Sequence, residues 1–257
     1  MRNSHGTSIA ERMSLRTVYA GSRMLMRGKV EMNVEGLEHV PGSGPLLIVA
    51  RHFHHLYDGC VLLGATPRRL HILVALDWVQ TRRLRRLMEW ACAMVEWPAL
   101  LRMERLNEDK GNGNQGRRSA YGRDESGRYL RRAARDAVRL LRRGEALVVF
   151  PEGYPTIDPE SAPQKDREGF LPFRVGFAKL VEMAEKDGHT RVAIVPAGFD
   201  YVSGERWYVT LRFCSALFRD DYADAAELVQ AIEARVHNLS HSVAGTTPIS
   251  SEEAIQL

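Results

Sequence analysis

Residues 46 to 63 read LLIVARHFHHLYDGCVLL, and their interpretation decides the architecture. Leu46 to Ala50 is a short, unbroken apolar run, the pattern of a strand buried on both faces. Asp58 to Ala65 opens on an acid and continues with apolar residues, which predicts a helix. Between them stand His52, His54 and His55. In parallel sheets the loop at a strand's carboxyl end is where reactive groups gather.

Working outward, the same alternation repeats. His71 to Ala75 and Ala146 to Phe150 read as two more buried strands. Val79 to Met94 reads as a helix with Val79, Leu84, Leu87, Met88 and Ala91 inward, and with Arg82, Arg83, Arg85 and Arg86 as a basic patch. Val95 to Leu101 is apolar and broken by Pro98. Arg128 to Arg143 is a strong helix, ended by Gly144. Helix, strand, strand and helix follow over Phe173 to Lys186, Val192 to Pro196, Trp207 to Phe213 and Ala223 to Leu239. Alternating strands and helices define an α/β fold, with a mostly parallel central sheet flanked by helices. Glu152 and Gly153, after the Ala146 to Phe150 strand, fall at the same edge as the histidines.

The expected organisation is an N-terminal amphipathic helix within residues 1–29, a single domain over 30–240, and a frayed tail over 241–257. Residues 107–127 carry few apolar side chains and many charges, which predicts a mobile loop. Gly111 to Gly116 inside it fits G-x-G-x-x-G but lacks the strand and helix that the dinucleotide fingerprint needs. Arg12, Arg16, Arg23 and Arg27 recur on one stripe of the first helix, as in a solvated surface helix or one lying on lipid phosphates.

Bulk composition narrows the classes. The chain has 257 residues, 44% apolar, with 36 Lys and Arg against 32 Asp and Glu, a net charge of +4. Arginine-rich positive charge suits phosphate, carboxylate, nucleic acid or anionic lipid. Nucleic acid is the weakest of these, because no reading motif appears and the arginines lack interleaved aromatics. No apolar run reaches the ~20 residues of a membrane span, and the first thirty residues lack a signal-peptide core. Three dispersed cysteines suggest a reducing compartment without a disulfide framework.

The histidine cluster admits three readings. His52, His54, His55 and Asp58 offer zinc ligands, but Leu56 and Tyr57 break the His-x-His-x-Asp-His pattern and no second ligand pair appears. The histidines can instead cap the helix or bond nearby carbonyls. Third, one imidazole can serve as general base with Asp58 fixing its tautomer. The chain has no G-x-S-x-G elbow, so the nucleophile in that case is the substrate's own hydroxyl.

The third reading gains from a resemblance. Leu47 to His52 with Asp58-Gly59, then Phe150-Pro151-Glu152-Gly153, Gly169 to Ala178 and Ile194 to Gly198 resemble, in order, the motifs of the glycerolipid acyltransferase family, typified by lysophosphatidic acid acyltransferases. The likeness spans roughly residues 30 to 240. It implies transfer of an acyl group from an acyl-CoA or acyl carrier protein thioester to a lysolipid or glycerol-phosphate-type hydroxyl, with a zinc-dependent hydrolase or a non-catalytic lipid-binding relative as the alternatives. It implies no further cofactor, no metal and no nucleic-acid partner, and a peripheral enzyme on the cytoplasmic, inner face of an anionic membrane. His52 is then the base, His54 the alternative, and Asp58 the orienting acid. Glu152 positions the acceptor or locks its loop through backbone amides. Arg102, the match to the family's phosphate-binding arginine, joins Arg105, Gly153 and Arg174 around the anionic group.

Two departures stand out. Five residues, not the family's four, separate His52 from Asp58, so Phe53 occupies the usual histidine position and the loop must bulge. Tyr154-Pro155 follows Glu152-Gly153 where the family has Thr-Arg, which leaves Lys165, Arg167 or Arg174 as substitutes for that arginine.

Overall fold

A computed structural model describes residues 9–108, 119–157 and 170–241. The 46–63 stretch folds as strand β2 (Leu46–Ala50), a loop, and helix α2 (Tyr57–Ala65). All five residues of β2 are buried. Leu47 and Val49 enter one apolar cluster, and Leu46, Ile48 and Ala50 enter another. That two-sided burial is why the run is continuously apolar rather than alternating.

β2 is central in a six-stranded sheet. The strands are β1 (Val30–Glu35), β3 (Leu70–Ile72), β6 (Ala146–Val149), β7 (Ala193–Val202) and β8 (Trp207–Phe213), in the order β1-β8-β7-β2-β6-β3. Only the β7–β8 pairing is antiparallel. Helices α5 (Arg123–Arg142), α6 (Gly176–Glu185) and α7 (Ala225–Ser240) cover one face with Ala137, Leu140, Val181 and Ile232. Helix α2 covers the other with Val61 and Leu62, and α1 (Ile9–Met26) packs on α2. Gly198 lets α7 lie directly on β7, since a Cβ there would sit 2.4 Å from Leu239 Cβ.

Four sequence expectations change. The strand expected over His71 to Ala75 divides into β3 and β4 (Val74–Ala75), and β4 pairs with β5 (Ala99–Leu100) in a separate two-stranded sheet. The helix expected from Val79 begins later, as α3 (Arg82–Met94), where the Thr81 hydroxyl caps the Leu84 amide. α3 packs through Leu84, Met88 and Cys92, four apart, so Leu87 points outward and is 56% exposed. The loop expected over 107–127 is bounded by α4 (Met103–Glu108) and by α5, which opens at Arg123. Two carboxylate contacts anchor this early start: Glu125 accepts the Gly122 amide at 3.0 Å and the Arg85 guanidinium at 2.7 Å. Residues 109–118 of that loop, and the tail beyond 241, lie outside the described residues.

β4, β5, α3, α4 and the start of α5 form a satellite core of Leu76, Val79, Cys92, Leu101, Leu106, Tyr121 and Tyr129. Among the described residues no helix is long and apolar enough to cross a membrane.

Candidate active site

Two loops meet at the carboxyl edge of the sheet, one after β2 and one after β6. Backbone bonds lace them together. The amides of Thr156 and Ile157 donate to the carbonyls of His52 and Phe53 at 2.8 and 3.1 Å. The His52 amide donates to Glu152 Oε2 at 3.1 Å, and the His52 ring stacks on Phe150 with centroids 4.5 Å apart.

Asp58 organises the first loop. Its Oδ2 receives His52 Nδ1 at 2.9 Å and the amides of Phe53 and His54 at 2.7 and 2.9 Å. Its Oδ1 receives the Tyr201 hydroxyl at 2.6 Å. The side chain is wholly buried, and a buried carboxylate needs partners of this kind. Burial, and then the charge of Asp58, push the Tyr201 phenol well above its ordinary value, so it stays a proton donor. A carboxylate only accepts, so the proton between His52 and Asp58 belongs to Nδ1, which leaves Nε2 as the basic nitrogen.

His54 turns back onto the helix that follows. Its Nδ1 accepts the amides of Leu56 and Tyr57 at 3.1 and 3.3 Å, at the start of α2. Burial lowers its pKa to about 4, with His55 adding to the effect, so the ring is neutral and able to accept. His54 Nδ1 is thus taken up at the start of α2, while His52 Nδ1 is the imidazole nitrogen that meets Asp58. Among the described residues no three His, Cys, Asp or Glu side chains converge as metal ligands.

Glu152 is 1% exposed. Burial raises its carboxyl to about 8, against the opposing pull of the Arg51 charge and the His52 amide. The cavity lining does not include it. Its one described contact, from the His52 amide to Oε2, ties the second loop to the first. Gly153, at φ +77°, takes a turn that a side chain resists, and a Cβ there would sit 3.4 Å from Arg174 Nε.

His52 opens onto a cavity of about 1090 Å³, lined by Leu73, Leu76, Met88, Leu130 and Leu180 among others. It lies between the satellite core and the α5–α6 layer. Arg102, Arg105, Gly153 and Arg174 line the same space. Arg102 differs from expectation. Its guanidinium is 8% exposed and grips Asp77 with contacts of 2.7 to 3.1 Å, while Nη1 donates to the Gly153 carbonyl. It holds the β4–α3 turn to the Gly153 turn, and its fork is not open to a ligand. Arg105 and Arg174 are the more open cations, 33% and 45% exposed, with Arg174 also 3.1 Å from Glu104.

Sequence reasoning missed Asp77 and Tyr201. Asp77 directly follows an apolar strand, so an acid at a strand exit was the available signal. Tyr201 lies 143 residues from Asp58 and carries no local signal.

Fold and site define an α/β protein with a histidine–carboxylate pair at the sheet's carboxyl edge and an apolar chamber beside it. Residues 31–200 match the family model described as Acyltransferase, and the chain belongs to that family. A search of curated proteins returned no match. Among solved structures the chain is similar to the crystal structure of the 1-acyl-sn-glycerophosphate (LPA) acyltransferase PlsC from Thermotoga maritima. The identity is 14% and the TM-score 0.55, over 92% of this chain and 82% of that one, which is a likeness of fold.

Proposed function

We propose that the protein moves a fatty acyl group from a thioester, acyl-CoA or acyl carrier protein, to a hydroxyl of a lysophospholipid or glycerol-phosphate-type acceptor. The observation that carries this is the His52 Nδ1–Asp58 contact of 2.9 Å at the mouth of the apolar cavity. His52 Nε2 takes the acceptor's hydroxyl proton, and the oxygen attacks the thioester carbonyl. The tetrahedral intermediate collapses, the C–S bond breaks, and the imidazolium returns its proton to the leaving thiolate. No acyl-enzyme forms. The Gly153 amide is committed to the Phe150 carbonyl at 3.1 Å, so the opening amides of α6 at Gly176 and Phe177, on the cavity wall, are the better oxyanion donors. Arg105 and Arg174 receive the anionic group of acceptor or donor, and Arg174 stands in for the arginine the Tyr154-Pro155 sequence lacks; Lys165 and Arg167 lie outside the described residues.

The substrates favour work at the inner, cytoplasmic surface of an anionic membrane. The outer face of α3 supports this, with exposed Arg82, Arg83 and Arg86 beside Leu87 at 56% and Trp90 at 61% exposure. On α1 and just past its end, Arg16, Arg23 and Arg27 are exposed, as is Met24; the Arg12 side chain lies outside the described residues.

The test follows free thiol release from acyl-CoA against a panel of lysolipids. Wild type should release thiol only with acceptor present, and His52→Ala should lose about 10²–10⁴-fold in turnover. Thiol release without acceptor, or full turnover in His52→Ala, refutes the reading. Flotation should carry the protein with anionic but not neutral vesicles, and Trp90→Ala with Arg86→Glu should abolish it.

A further inference from the structure

Tyr201 stands near the carboxyl end of β7, outside every motif that carries the family resemblance. Its hydroxyl holds Asp58 Oδ1 at 2.6 Å, the oxygen that does not face His52. Its ring stacks on Phe53, with centroids 4.5 Å apart and planes 17° from parallel. Trp207 closes the edge, 5.7 Å from Tyr201 and 6.3 Å from Phe53. Phe53 is the residue that occupies the usual histidine position in the lengthened loop. One side chain therefore grips both the acid and the residue that displaces the histidine.

We infer that Tyr201 is a positioning residue for the His52–Asp58 pair. A buried carboxylate held by one oxygen alone can swing about its Cβ–Cγ bond, and its second oxygen would be left without a donor. With the Tyr201 hydroxyl on Oδ1, Oδ2 stays aimed at the imidazole and at the Phe53 and His54 amides together. The ring stack fixes where the bulge lies, so the five-residue spacing still delivers His52 to Asp58. β7 is long enough for this role: its first half pairs with β2, and its last residues reach past the end of β2 to the loop.

The inference rests on the acyl-transfer reading for its kinetic test and on geometry alone for its spectroscopic one. Tyr201→Phe keeps the ring and removes only the donor. It should lower kcat about tenfold with both KM values within about twofold, since the effect is on the base and not on substrate contacts. In an Asp58→Asn background the same change should cost less than about twofold, because it acts through the carboxylate. Equal losses in the two backgrounds, or an unchanged kcat, overturn the inference. Independently of turnover, the low-field proton resonance of His52 Nδ1–H, assigned by its loss in His52→Gln, should shift in Tyr201→Phe. Site-specific 3-fluorotyrosine at 201, which keeps the packing and strengthens the donor, should move it too. A resonance that neither replacement moves overturns the inference. If wild type transfers no acyl group to any acceptor, the functional reading fails and the resonance alone decides the role of Tyr201.

Discussion

Glu152→Gln should change how stability depends on pH. The wild-type carboxyl is 1% exposed, its Oε2 takes the His52 amide, and its Oε1 has no partner among the described residues. Burial holds its pKa at about 8 against an ordinary value of 4.5. Between those values the folded protein keeps a proton that the unfolded chain releases. The resulting stability is fully present below pH 4.5 and is lost as pH rises through about 8. One proton at ~1.4 kcal/mol per pH unit gives a loss of about 3 kcal/mol between pH 6 and pH 9. Glutamine has the same shape, can accept the same amide, and does not titrate. Urea unfolding followed by circular dichroism, repeated in half-unit steps, gives both stability curves. Wild type minus variant should fall by about 3 kcal/mol across that window, with other titrating groups cancelling. Parallel curves would refute the claim that Glu152 is held neutral by its surroundings.

Other outcomes follow from the same contacts. His54→Ala should lose about 1 kcal/mol in unfolding free energy at pH 7 through the lost α2 cap, yet keep near-normal turnover; a loss of turnover matching that of His52→Ala would revise the choice of base. With the His54 pKa lowered to about 4, chiefly by burial, its contribution is present above pH 6.5 and lost as pH falls through 4; protonating the buried ring costs more than the cap contributes, so wild type should fall below His54→Ala in acid. Asp77→Asn leaves a buried guanidinium without its charge partner and should cost about 3–5 kcal/mol by chemical denaturation. Ala134→Trp, on the cavity wall, should cut kcat/KM for long-chain donors about tenfold and spare short ones, which a chain-length series would measure.

The fold was legible where one physical cause dominates. Burial on both faces writes continuous apolar runs, so β2 and β6 stand out; the loops beyond them hold His52 and Glu152, and the helix after β2 opens with Asp58 in its first turn. The break between β3 and β4 was hidden because Ile72 to Ala75 is apolar throughout with no turn residue between the two parts, while the parts serve different sheets. Leu87 misled because a helix over a small satellite core buries a narrow stripe, and the rest of its face is open. The early start of α5 depends on Arg85, 40 residues away in sequence, and no local pattern encodes that. Arg102 was expected around the anionic group, but its partner Asp77 arrives only through tertiary structure and takes up its guanidinium. Tyr201 is the clearest case, since the strand's length alone delivers it to Asp58.

The lacing of the two loops has a consequence for how this enzyme can be dissected. Thr156, Ile157 and Glu152 all bond the backbone of His52 or Phe53, so neither segment can relax without dragging the other. Damage at Glu152, Thr156 or Ile157 will therefore surface as a displacement of His52. A scan that ranks residues by lost rate will credit chemistry to groups that only hold the frame, and only coupled substitutions will separate the two.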